Sequence, residues 1–235
     1  MISQEPLYRV LKAQLSTHAL KLPNNLLLSI VGYADDSPVL VSNDDGIREC
    51  FSIVKRYEKS TGGKLNMDKT SIFGMGEWKE RDMWPVTGLK EIKGNCKILG
   101  VIHDNCYINS VIANWESMEM NIRKCVGMLL SRKLSLFQKA IVINCKILAK
   151  CWYLSHVYPL PKEVAKRIQK CLFKYLWSGN YEPINRETMY LPKYRGGCGL
   201  INLFCKSRAL LFSTFLKIFT DEKQPGFKLR VFIVK

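Results

Sequence analysis

The chain lacks any apolar run of the ~18 residues that a membrane span needs; the nearest candidate, Ala209 to Phe219, is broken by Lys217. Its nine cysteines, from Cys50 to Cys205, contain no Cys-x-x-Cys pair, and the three histidines (His18, His103, His156) lie far apart. Nothing here has metal-ligand spacing, so a zinc site is not expected. An odd, scattered cysteine count reads as reduced and mostly buried thiols rather than a disulfide framework. No signal-peptide layout opens the chain, since Gln4, Glu5 and Pro6 follow the start directly. Internal repeats and low-complexity tracts are missing as well. These absences predict an intracellular, soluble protein with no membrane partner. With 47% apolar and 24% charged residues the composition is that of a globular chain, not a disordered one.

Acidic residues are scarce, 20 against 36 Lys and Arg, and the scarcity is uneven. Residues 1–110 hold 14 Lys and Arg against 13 Asp and Glu, whereas residues 111–235 hold 22 against 7. Nearly all of the net +16 charge therefore sits in the second half, which points to a polyanion partner for that half. A merely solvated basic surface and anionic lipid are the alternatives; the core-forming look of the helices ranks lipid lower.

The most informative tetrapeptide is Tyr33-Ala34-Asp35-Asp36, flanked by apolar runs (Leu26 to Val31, then Val39 to Val41). Two β-rich runs meeting at an acidic pair read as a hairpin with two carboxylates at its tip. Adjacent carboxylates in a tight turn attract a hard divalent cation such as Mg²⁺. An acidic surface turn is the plain alternative, although this tetrapeptide arises by chance in roughly one such chain in 700.

Around the hairpin the pattern predicts a helix over 5–20, ended by Pro23 and Asn24-Asn25. A second helix starts at Asn43, Asp44 and Asp45, carries Ile47, Cys50, Phe51 and Val54 on its buried stripe, and stops at Gly62-Gly63. Short extended pieces are expected at Thr70–Phe73 and Ile98–Ile102. Helices follow over 111–130, over 135–157 (apolar at Phe137, Ile141, Leu148, Cys151 and Trp152), from Pro161, and over 205–219. The overall expectation is an α+β fold in which an α+β half precedes an all-α, basic half.

This order of motifs resembles the reverse transcriptases of non-LTR retrotransposons, the LINE type. Besides Tyr33-Ala34-Asp35-Asp36, the match takes in Gly62-Gly63-Lys64-Leu65-Asn66 with Lys69-Thr70, and then Ile98-Leu99-Gly100-Val101. Leu134-Ser135-Leu136-Phe137, Tyr158-Pro159-Leu160-Pro161 and Leu191-Pro192 through Gly196-Gly197-Cys198-Gly199-Leu200 continue it over about 170 residues. The resemblance implies a partial polymerase palm over 1–108, a basic helical thumb over 109–180 and a C-terminal extension over 181–235. It implies nucleotidyl transfer with two Mg²⁺ ions, in which Asp35 and Asp36 are the catalytic metal ligands. Tyr33 would pack near the primer end, and Lys69 would lie near the nucleotide phosphates. Arg123, Lys124, Arg132, Lys133 and Lys139 are the candidate nucleic-acid contacts, the partners being an RNA template, a DNA primer and deoxynucleoside triphosphates. Nuclear location follows from the family alone.

The pattern also departs from the family. Upstream of Tyr33 the only acid is Glu5, so the first catalytic aspartate and the fingers have no counterpart, and the Gln-Gly-x-Pro-Leu motif is missing. Pro38 sits in the outgoing strand, where a proline is tolerated only at an edge or bulge. Endonuclease and zinc-knuckle signatures are missing too. The isolated chain is expected to be inactive unless a partner supplies the rest of the palm; the alternative is a nucleic-acid-binding remnant that keeps the basic helices.

Overall fold

Pro6 lies in the first turn of helix α1 (Glu5–Gln14), where its missing N–H leaves no intrahelical bond unmade. The computed structural model describes residues 4–22, 26–32, 36–78, 88–179 and 181–220. They divide into two compact units, Met1–Tyr107 with Ile218–Lys235, and Ile108–Lys217.

In the first unit α1 stops earlier than its periodicity predicts. A 3₁₀ turn (Leu15–Thr17) follows, and Leu20–Leu22 forms strand β1. That segment pairs antiparallel with β2 (Leu26–Leu28), Leu20 opposite Leu28, and strand pairing outweighs the helical spacing of its leucines. Beyond β2, Ile30 bridges Val39, and Ala19, just before β1, bridges Val41. Helix α2 (Asp44–Thr61) begins as expected, with Asn43 Oδ1 accepting from the Gly46 N–H at 2.8 Å, and ends at Gly62 in the left-handed conformation. The core here is small: Leu11, Leu15 and Ile53, with Leu7, Ile30, Val39, Val41 and Cys50 packed around them. Ile53, rather than Phe51 or Val54, is the deeply buried position of α2 besides Ile47.

Two further short pairs complete the unit. β3 (Ser71–Ile72) runs parallel to β4 (Lys90–Glu91). The expected single piece at 98–102 is instead a hairpin of β5 (Asn95–Ile98) and β6 (Val101–Asp104), with Ile98 opposite Val101. Leu99 and Gly100 form its two-residue turn, both at positive φ (50° and 82°), the geometry that matches the strands' twist.

The second unit is helical: α3 (Tyr107–Leu129, whose first residue belongs to the other unit), α4 (Leu136–Val142), α5 (Ala149–Val157), α6 (Lys162–Leu176), the short α7 (Arg186–Tyr190) and α8 (Leu203–Thr220). A π-helical segment, Ile143–Leu148, joins α4 to α5, with helical dihedrals at both junctions (Val142 and Ala149). Each π turn takes in about one residue more than an α turn, so this segment rotates the face of α4 relative to α5. That is why Phe137 and Ile141 face solvent while Leu148 and Cys151, apolar positions of the same expected helix, are fully buried. Trp115, Ile122, Ile147, Ile168, Tyr175 and Leu176 fill the core.

The joints of this unit explain its motifs. Ser135 and Gln138 form a reciprocal capping box at the start of α4. Tyr158 and Leu160 are buried in the reversal before Pro161, which caps α6. Gly196 is left-handed (φ 80°), and a Cβ on Gly197 would lie 2.0 Å from the Leu191 carbonyl oxygen, so the Leu191–Gly199 loop closes only with glycine there. Residues on both sides of Gly179 share this unit: Asn144 donates to Gly199 O (2.9 Å) and accepts from Ile201 N–H (3.0 Å), while Ser155 and Ser207 hydroxyls meet at 2.9 Å in the interior. The architecture is α+β, as expected. No helix of the described residues is long and apolar enough to cross a membrane.

Candidate functional site

The acidic hairpin is built from the first unit's small core outward. Its arms pair antiparallel, with Val31 N–H donating to Pro38 O at 3.0 Å and Leu40 N–H donating to Ser29 O at 2.8 Å. Pro38 has no N–H to return, so this rung keeps one of its two bonds. The Tyr8 hydroxyl of α1 hydrogen-bonds Ser37 Oγ, and its ring lies against Gly32, where a Cβ would come within 2.5 Å of it. Helix α1 thus clamps both arms at the base of the tip, and no sequence pattern announced Tyr8 or Gly32. Tyr33 and Asp35, the predicted primer contact and metal ligand, lie outside the described residues. Asp36 is exposed.

Lys69 is exposed in a turn that Asn66 organises: Asn66 Oδ1 and its carbonyl both accept from Lys69 N–H, and the carbonyl also accepts from Thr70. No ion pair joins Lys69 to Asp36. Among the described residues no group of three His, Cys, Asp or Glu gathers into a metal site. The described residues bring a single carboxylate, Asp36, to the hairpin end, whereas two divalent cations need three or more, so they do not by themselves fit the two-Mg²⁺ centre.

The predicted nucleic-acid contacts separate into two groups. Arg123 (2.6 Å) and Arg167 (2.8 Å) both bind Glu119, whose side chain is 9% exposed, and together they bolt α3 to α6. Burial opposes the Glu119 charge, but the hydrogen bonds from the two guanidiniums overcome it and hold the carboxyl below its ordinary range. Lys139 donates to Ser178 Oγ and, at 3.4 Å, to Leu176 O, closing the C-terminal end of α6, where a cation meets unpaired carbonyls. Arg123 and Lys139 are therefore parts of the scaffold. Lys124, Arg132 and Lys133 are exposed and form no ion pair among the described residues. The second unit as a whole carries 18 Lys and Arg against five Asp and Glu, and three of those five (Glu119, Glu163, Glu182) are already bound to Arg or Lys.

Comparison with known proteins adds a transposable-element relative. The chain is 24% identical over 207 residues to the Transposon TX1 uncharacterized 149 kDa protein of Xenopus laevis, across 84% of this chain and 15% of that protein. The chain thus spans about a seventh of the relative's length. No protein-family model matches the chain.

Proposed function

We propose that this chain is a segment of a LINE-type reverse transcriptase, in which the helical unit holds the primer–template and the Tyr33–Asp36 hairpin contributes two of the catalytic carboxylates. The observation that carries this reading is similarity to a transposon protein over most of the chain, taken with the ordered palm and post-palm motifs. The net positive charge of the helical unit supports it, because phosphate neutralisation supplies most of the affinity of polymerase-type grips. Mg²⁺ is the metal this chemistry would use, held by Asp35 and Asp36 with at least one further carboxylate from outside the described residues. With only these two acids at the hairpin, the 235-residue chain alone does not extend a primer.

Primer extension on an RNA template with Mg²⁺, by the chain and by its Asp35→Asn/Asp36→Asn variant, tests this. The expected result is no extension by either protein and salt-sensitive binding of the primer–template by both. Extension by the unaltered chain, lost in the variant, would show that a third ligand is present and overturn the inactivity. Failure of both proteins to bind nucleic acid would overturn the reading itself.

A further inference from the structure

The solvent face of the 136–157 helix is unusual in what it carries. The π segment keeps positions four residues apart in line on the outside: Phe137, Ile141, Cys145, Ala149, Tyr153 and Val157 are all exposed. At ~1.5 Å per residue the stripe from Phe137 to Val157 runs roughly 30 Å. Its large members are far from buried, with Phe137 at 49%, Ile141 at 52% and Tyr153 at 55% exposure. A helix face that simply meets water carries charges of both signs. Here Lys146 and Lys150 on the same helix are also exposed, and Lys193 Nζ lies 5.4 Å from the centre of the Phe137 ring. Residues 120–162 hold eight Lys and Arg and not one Asp or Glu.

Resting on the reading above, the geometry points to this face as a binding track for single-stranded nucleic acid, with bases stacked on Tyr153 and phosphates met by Lys146, Lys150 and Lys193. Charge selects the occupant. A stripe of aromatic and aliphatic side chains would suit a protein partner equally well, but exposed lysines within an acid-free run of sequence favour a polyanion. Unpaired bases offer the flat faces that an exposed tyrosine ring can stack on, whereas in a duplex those faces are already stacked on one another. Sequence reasoning placed the phosphate contacts on α3, in the loop after it and, at Lys139, on α4; the acid-free run was the signal that extended to Lys146 and Lys150.

Cys145 sits mid-stripe and is exposed, as are Cys106 and Cys205 elsewhere, so the unaltered chain contains its own footprinting probe and controls. The full chain is treated with a maleimide alone, with 20-nucleotide oligo(dT) or oligo(U), and with a blunt duplex of the same length; binding is measured in parallel for Lys146→Glu/Lys150→Glu and Tyr153→Ala. The expected result is protection of Cys145 by the single strands while Cys106 and Cys205 stay reactive. Affinity for single strands should fall about tenfold or more in each variant, in line with the loss of a stacked base or of two phosphate contacts. Nucleic-acid binding with Cys145 still reactive and both variants unimpaired would overturn this track while leaving the proposed function standing. Equal protection by the duplex would overturn the choice of single strands. Protection that appears without oligonucleotide and grows with protein concentration would assign the face to a second copy of the chain. No nucleic-acid binding at low salt would remove both readings together.

Discussion

The two units reach stability by different routes. Among the described residues, the first unit supplies Leu11, Leu15 and Ile53 of the twelve largest fully buried side chains, and the helical unit supplies the other nine, Trp115 and Tyr175 among them. The strands of the first unit are two to four residues long and leave Leu20 and Leu27 exposed on them. The helical unit instead joins distant segments through buried polar bonds, Asn144 to Gly199 and Ile201, Glu119 to Arg123 and Arg167. Burial of apolar area scales with such large side chains at ~25 cal/mol per Å², so the helical unit has the larger reserve. The unit carrying the Tyr-Ala-Asp-Asp sequence is the thinner one, and the unit carrying the charge is the sturdier.

The sharpest way to break this contrast is Gly197→Ala. Its Cβ would meet backbone oxygens of Leu191 (2.0 Å) and Thr188 (2.6 Å), which cannot yield as side chains do. A loss of at least about 3 kcal/mol is expected in urea unfolding, centred on the helical unit. Gly127→Ala, whose Cβ meets nothing within 4 Å, serves as the control.

Next comes Glu119→Gln, which removes the carboxylate shared by Arg123 and Arg167 and is expected to cost about 2 kcal/mol at neutral pH. Because the native Glu119 carboxyl titrates below its ordinary range, its contribution is present above the unfolded value near ~4.3 and fades as pH falls through the lower native value. The stability gap between chain and variant should therefore close in acid; a gap independent of pH would refute the ion-pair account.

Gly32→Ala pushes a Cβ to 2.5 Å from the Tyr8 ring and should cost about 1 to 2 kcal/mol in the first unit alone. Tyr8→Ala in the same background should recover the steric part. Smallest is Leu99→Gly, which relieves a left-handed leucine in the β5–β6 turn and should stabilise by about 0.5 to 1 kcal/mol. Burial raises the Cys151 thiol to about 12, so it should resist alkylation at pH 8 while Cys145 and Cys205 react. Mass spectrometry of the labelled peptides reads this directly.

Helix ends were legible where their caps and breakers are local: Asn43 and Gly62 around α2, and Pro161 before α6. What stayed hidden depends on contacts between segments far apart in sequence. Leu20–Leu22 reads as helix until Leu26–Leu28 is beside it. The π segment has no compositional mark, and without it Phe137 and Ile141 count as core. Arg123 and Lys139 look like any phosphate-binding cations until Glu119 and Ser178 are seen to hold them. The Tyr-Ala-Asp-Asp motif was the clearest sequence signal, and the arms that carry it pair as a hairpin, yet Tyr33 and Asp35 lie outside the described residues. By contrast, the glycines of the Leu191–Gly199 loop, conspicuous in the sequence, prove to be a matter of chain closure.

Equilibrium binding of a primer–template by the full chain, titrated from about 50 to about 200 mM salt, tests the central claim most directly. A grip made by the helical unit's cations predicts that log K falls steeply and linearly with log salt, by a factor near 10³ for some six neutralised phosphates. A flat dependence, or binding unchanged when Lys124, Arg132 and Lys133 are all replaced by glutamate, would contradict it.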